Sequence, residues 1–198
     1  MSLEDLSGLD ATDPTTRARA LAALIGAGRA SVPVLLRAMA SGEAGVREKA
    51  AQGLAEIADP AAAQALRAAL ADPAPAVRGR AAQGLCAIGD PGALDALVRT
   101  LDDYPDVLHA PHTIATHLLI ARGRSALPAV APLLDSPDAL TRQRAFLVLQ
   151  TVVQAMPGVA DWRSLWQSLG RYAPDGEDAA ARAAAAAQWR RWVASAGR

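Results

Sequence analysis

The sequence predicts an all-α chain built as an α-solenoid, with antiparallel helix pairs stacked in succession and closed by a C-terminal helical cap that carries tryptophan. Three observations predict it. The phrase VREKAAQGLAEIADP at 46–60 returns thirty-one residues later as VRGRAAQGLCAIGDP at 77–91, with ten of fifteen positions identical. In each copy the apolar positions Val46, Ala50, Leu54 and Ile57 (Val77, Ala81, Leu85 and Ile88 in the second) fall at i, i+4, i+8 and i+11, one stripe of a helix and not strand alternation. The apolar content, 52% of 198 residues, is carried by Ala and Leu, with only 4% aromatic residues, which favours helix over sheet.

The elements follow in order. TTRARALAALIGAG (15–28) places Arg17, Ala20 and Leu24 in register with Arg47, Ala50 and Leu54, and GRASVPVLL (28–36) is its partner. Each copy of the main phrase ends in Asp-Pro. Asp caps a helix by accepting its orphan N–H groups, and Pro fits the first turn, so partner helices start at 60 and 91. AAAQALRAAL (61–70) and GALDALVRTL (92–101) have the apolar spacing for them. The period returns in TRQRAFLVLQTVV (141–153), and GRSALPAVAPLL (123–134) echoes residues 28–36. One pair cannot bury its apolar face alone, so neighbours stack into a shared core, here roughly four and a half pairs. The predicted organisation is a repeat array over 1–155, irregular at 102–123, and a cap over 156–198. All four tryptophans lie in that cap: Trp162 and Trp166 in ADWRSLWQSLGRY (160–172), Trp189 and Trp192 in the Ala-rich segment 177–198.

The pattern Asp-Pro-x-x-x-Val-Arg-x-x-Ala-Ala-x-x-Leu-x-x-Ile-x-Asp resembles the short bacterial HEAT-like repeat, also called the phycobilin-lyase-type HEAT repeat. The resemblance is closest over 31–102 and looser over 14–155. It implies a right-handed, armadillo-like solenoid whose Val-Arg helices line a concave groove, with the Ala/Leu helices outside. The variable positions then face the groove: Arg19, Glu48, Lys49, Gln52, Glu56, Arg80, Gln83, Gln143 and Arg144. Arg19, Lys49, Arg80 and Arg144 occupy corresponding positions in four repeats, a basic stripe tempered by Glu48 and Glu56. Such a stripe suits an acidic peptide or a carboxylate-rich protein surface; the alternative is ordinary solvated surface cations. Arg17, Arg47, Arg78 and Arg142 recur at the motif's own position. Within the resemblance they form a structural ladder with aspartates of the turns, such as Asp72 and Asp135.

Several function classes are disfavoured. Lys+Arg and Asp+Glu number 20 each, so the chain lacks the basic excess of a general nucleic-acid binder. A single cysteine, Cys86, allows no intrachain disulfide and no thiolate zinc cluster, and its helical position next to Leu85 reads as core. The acidic start MSLEDLSGLDATDP has no apolar signal region, and no apolar run reaches a membrane span, so a cytoplasmic protein is expected. The irregular repeat holds Tyr104, His109, His112 and His117, candidate contact residues of a solvated loop. His112 and His117 are five apart, a helical spacing that sends the rings to diverging faces, so no metal site is expected there. No acid, base and nucleophile cluster in any known pattern. The expectation is a non-enzymatic scaffold or adaptor without a cofactor, binding a protein or peptide. The alternatives are a lyase- or chaperone-type maturation factor holding a cofactor or client and, third, a nucleic-acid binder.

Overall fold

The structure is a computed structural model and describes residues 8–103, 111–159 and 161–196; every element is helical. The α-helices are α1 (Pro14–Gly26), α2 (Val32–Ala38), α3 (Ala44–Ile57), α4 (Ala63–Ala69), α5 (Pro75–Ala87), α6 (Ala93–Arg99), α7 (Ile114–Arg122), α8 (Leu127–Val130), α9 (Ala139–Gln154), α10 (Trp162–Ser168) and α11 (Ala179–Ala196). Short 3₁₀ turns lead into α2, α4 and α8 and follow α8 over Ala131–Asp135. The chain divides into two compact units, Met1–Ala96 and Leu97–Arg198, with the division inside α6.

In the first unit α1, α3 and α5 lie side by side, and α2 and α4 back them. The predicted stripe is inside: Val46, Ala50, Leu54, Val77, Ala81 and Leu85 are all buried. Ile57 and Ile88, at the stripe's C-terminal end, are only half-buried. Ala50, Ala51, Ala81 and Ala82 are fully enclosed, and their small side chains let the helices approach. The recurring Gln-Gly-Leu has a packing reason. A Cβ on Gly53 would stand 3.0 Å from Leu35 Cδ1, and one on Gly84 2.8 Å from Leu66 Cδ1. Each glycine leaves the space into which a partner-helix leucine nests.

The Asp-Pro turns cap the following segment as predicted. Asp59 accepts from the Ala61 N–H and Asp90 from the Gly92 N–H, at 2.9 and 2.8 Å. Each carboxylate also takes a guanidinium from the preceding outer layer: Arg29 Nε at 2.5 Å for Asp59, and Arg67 for Asp90. Just before these aspartates the chain must turn left-handed. Gly89 does so at φ 72°, and Ala58, its counterpart, at φ 53° with a Cβ.

In the second unit α7 packs on α9, and α8 and the turn after it pack on both α9 and α11. The core joins Leu119, Leu127, Leu134, Val148 and Leu149 to Tyr172 and Trp189. Phe146 of α9 lies 5.1 Å from the Tyr172 ring, and Trp162 stacks on Trp189 at 5.4 Å. Tyr172 O–H donates to the Leu134 carbonyl at 2.6 Å, and Trp166 Nε1–H donates to the Tyr172 carbonyl at 2.9 Å. Trp162 and Trp189 thus meet Phe146 of α9, and Tyr172 ties this aromatic cluster to Leu134.

Candidate partner-binding face

The motif arginines grip the backbone. Arg17 Nη1 donates to the carbonyls of Ala11 and Thr12, Arg47 Nη1 to Ser41 and Gly42, Arg78 Nη1 to Asp72 and Pro73, and Arg142 Nη1 to Ser136 and Pro137. Every arginine reaches back five and six residues and holds the turn that launches its own helix. Arg182 of α11 does the same to the Gly176 carbonyl, so this clasp continues past Val153 into the segment expected to be outside the repeat. The motif arginines differ in how they meet the expected ladder of aspartates. Arg47 makes it, with Nε and Nη2 on both Asp72 oxygens at 2.7 and 2.9 Å. Arg142 turns its Nε to the Pro174 carbonyl instead. Asp135 pairs with Arg190, not with a motif arginine.

Outside this clasp lie the variable positions of α1, α3 and α5. Arg19 is exposed, as is Glu56. Lys49 Nζ donates to Gln52 Oε1 at 3.2 Å, and Gln52 Nε2 passes the chain on to Glu56 at 3.0 Å. Glu48 stands between two cations, 3.6 Å from Lys49 Nζ and 3.6 Å from Arg80 Nε. Arg80 Nη1 in turn donates to Gln83 at 3.0 Å. Six predicted residues are therefore one linked surface across α3 and α5, cations and carboxylates interleaved. Arg80 is 16% exposed, held inside that network and not extended into solvent. Between α1 and α3 the surface dips into an open hollow of about 460 Å³, lined among others by Arg17, Ala18, Leu21, Ala22, Lys49 and Gln52.

In the second unit Gln143 Nε2 donates to both Asp175 oxygens, at 2.8 and 2.9 Å. Arg144 corrects an expectation. Its side chain is only 4% exposed, with Nη1 on Asp102 at 2.7 Å and Nε on the Pro111 carbonyl at 2.9 Å. It is braced on two residues of the irregular repeat and is not a displayed member of a basic stripe. The irregular repeat places the Asp102 carboxylate and the Pro111 carbonyl within its reach. The histidines correct another. His112 and His117 stack, centroids 5.1 Å apart and planes at 22°. The helical-spacing argument fails because His112 precedes α7, which Thr113 caps in a reciprocal box with Thr116. Tyr104 and His109 lie outside the described residues. Among the described residues no group of three metal-ligating side chains converges. Cys86 is half-buried, more open than its position next to Leu85 suggests.

Sequence reasoning missed the outer bridges of Arg29 and Arg67 to Asp59 and Asp90 and the clasp of Arg182. The signal was there for the bridges: an arginine in each partner segment and the repeated aspartate of Asp-Pro. Among the described residues no helix is long and apolar enough to cross a membrane.

Comparison with known proteins agrees with this architecture. A family model described as HEAT repeats matches residues 6–75, 33–115 and 65–150. No curated protein sequence matches the chain. Among solved structures, the complex of CpcE and CpcF of phycocyanin lyase from Nostoc sp. PCC7120 is similar at 24% identity and TM-score 0.51, over 93% of this chain and 74% of that one. An engineered protein is 20% identical over 98% of both chains, TM-score 0.42, and a designed armadillo repeat protein is 18% identical over 93% of this chain and 98% of that one, TM-score 0.40.

Proposed function

The chain belongs to the HEAT-repeat family, and from that premise we propose that it is a non-enzymatic scaffold that binds a protein or peptide partner on the α1–α3–α5 face. The observation that carries the reading is the linked surface of Glu48, Lys49, Gln52, Glu56, Arg80 and Gln83. It is rigid, because each side chain is held by a neighbour. It is polar and repeats along successive helices, as a surface for an extended partner would. Pre-ordered side chains lose little entropy on binding, so several weak contacts can sum. The partner is acidic in this reading, since Arg19, Lys49 and Arg80 outnumber Glu48 and Glu56 on that face. The same count gives no strong basic field, and nucleic acid is not the proposed ligand.

The test is capture from native lysate on wild type and on Arg19→Glu/Lys49→Gln, read by mass spectrometry. Arg80 is left untouched because reversing it beside Glu48 would disturb the fold. The variant is expected to keep its helical circular dichroism and to lose one or more captured proteins. Identical captures on both baits would remove the α1–α3–α5 face from consideration. A maturation factor of lyase or chaperone type is a variant of the same reading, in which the captured protein is a client.

A further inference from the structure

The geometry points to a carboxylate-receiving notch between α1 and α3, which takes an aspartate or glutamate side chain from an acidic segment of the partner. This rests on the partner-binding reading and specifies where one anchor goes.

The repeats themselves supply the template. In the second repeat Arg47 holds its own turn with Nη1 and offers its other edge, Nε and Nη2, to both oxygens of Asp72 in the next turn. Arg17 is the same residue one repeat earlier, with Nη1 on the Ala11 and Thr12 carbonyls at 2.6 and 3.0 Å. Its Nε and Nη2 meet no acceptor among the described residues. The position that should answer is Ser41. Ser41 matches Asp72 in every other respect: its carbonyl takes Nη1 of the following arginine, and its side chain accepts the N–H two residues on. Its side chain ends in a hydroxyl and so brings no carboxylate to Arg17. The nearby Asp13 has its carboxylate on the N–H and hydroxyl of Thr16.

A second substitution removes a second carboxylate. Glu48 of α3 faces Arg80 of α5. The counterparts one repeat earlier are Ala18 and Lys49, so Lys49 receives no carboxylate from α1. Ala22 likewise replaces Gln52. Those two alanines account for the hollow: the side chains that fill the α3–α5 seam are missing from the α1–α3 seam. The result is a cavity of about 460 Å³ floored by Leu21, Ala22 and Ile25, with a fixed guanidinium and an ammonium on its walls. A guanidinium edge held in place by two carbonyls is preorganised for a bidentate carboxylate. An apolar floor beside it fits an acidic residue next to an aliphatic one, which identifies the occupant as an acidic, leucine-bearing protein segment and not a bare anion.

The experiment titrates the ¹⁵N-labelled full chain with the acetylated, amidated hexapeptide Leu-Asp-Glu-Leu-Asp-Glu, and with its Asn/Gln counterpart, by NMR. Shifts are expected at the amides of Ala18 and Ala22 and at Arg17 Nε–H, with the acidic peptide bound about tenfold more tightly than the neutral one. Ser41→Asp should restore the internal pair, raise the melting temperature and weaken the acidic peptide about tenfold. Ala18→Glu should weaken it by the second route, through Lys49. Equal binding of the two peptides, no binding at millimolar peptide, or shifts on other helices would overturn the notch. So would full binding in both variants. Acetate binding as tightly as the peptide would overturn the protein source. If lysate capture depends on Arg19 and Lys49 but survives Ser41→Asp and Ala18→Glu, the scaffold reading stands and the notch falls.

Discussion

At the scale of the residue, the two copies of the central phrase act as controls for one another. Ala58 and Gly89 hold the same left-handed turn, and only the alanine bears a Cβ there. Ala58→Gly should raise stability by about 1 kcal/mol, read as a higher melting temperature. The motif arginines form a similar series. Arg47 adds a two-pronged carboxylate pair to its backbone clasp, and Arg17 has the clasp alone. Truncation to alanine should therefore cost about 2 kcal/mol at Arg47 and about 1 kcal/mol at Arg17 in denaturant unfolding. Equal costs would mean that the Asp72 pair contributes nothing beyond the clasp. That these arginines are structural was legible in their recurrence. Their acceptors were not, because backbone carbonyls are present at every position and leave no mark in a sequence.

At the scale of the element, the C-terminal helices are held by one buried phenol. Tyr172 is enclosed, donates to the Leu134 carbonyl, and receives the Trp166 indole N–H on its own carbonyl. Burial pushes its ionisation up from 10.0 to about 12. A raised folded-state value means the neutral form is favoured by folding. The contribution is whole below pH 10 and is lost as pH rises from 10 to about 12. Tyr172→Phe should cost about 1 kcal/mol at neutral pH by loss of the hydrogen bond. It should also flatten the alkaline fall in melting temperature; an unchanged alkaline slope would place the titrating group elsewhere. The four tryptophans announced a packed end. Tyr172 and Phe146 gave no such signal, because each is a lone residue of its kind in its segment and their meeting is a tertiary contact.

At the scale of the whole molecule, three turn aspartates of the first unit share one electrostatic habit. The carboxyls of Asp59, Asp72 and Asp90 sit below their ordinary value of 3.8, because Arg29, Arg47 and Arg67 respectively hydrogen-bond to their ionised forms. A depressed folded value stabilises the protein above the ordinary carboxylate range, and that stability is lost as pH falls through it and below. The melting temperature should therefore hold from neutral pH to about 5 and drop on further acidification. Asp72→Asn should begin lower at neutral pH and lose less on acidification; a parallel acid curve would remove the Arg47–Asp72 pair from the cause.

The repeated phrase by itself determined the class of fold, the pairing of helices, the buried stripe and the caps at Asp-Pro. All of these follow from local periodicity and from the side chain that satisfies the next few backbone groups. Only the tertiary structure decided which polar residues are displayed. Arg19 and Arg144 hold the same position in their repeats, yet one is exposed and the other buried on Asp102 and the Pro111 carbonyl. Lys49 and Arg80 likewise correspond, but Arg80 meets Glu48 of the neighbouring helix, whereas Lys49, opposite Ala18, meets Glu48 and Gln52 of its own. The reason is physical. A helix face follows from the spacing of its own residues, whereas the partner of a long charged side chain is whatever the adjacent repeat places within a few ångströms.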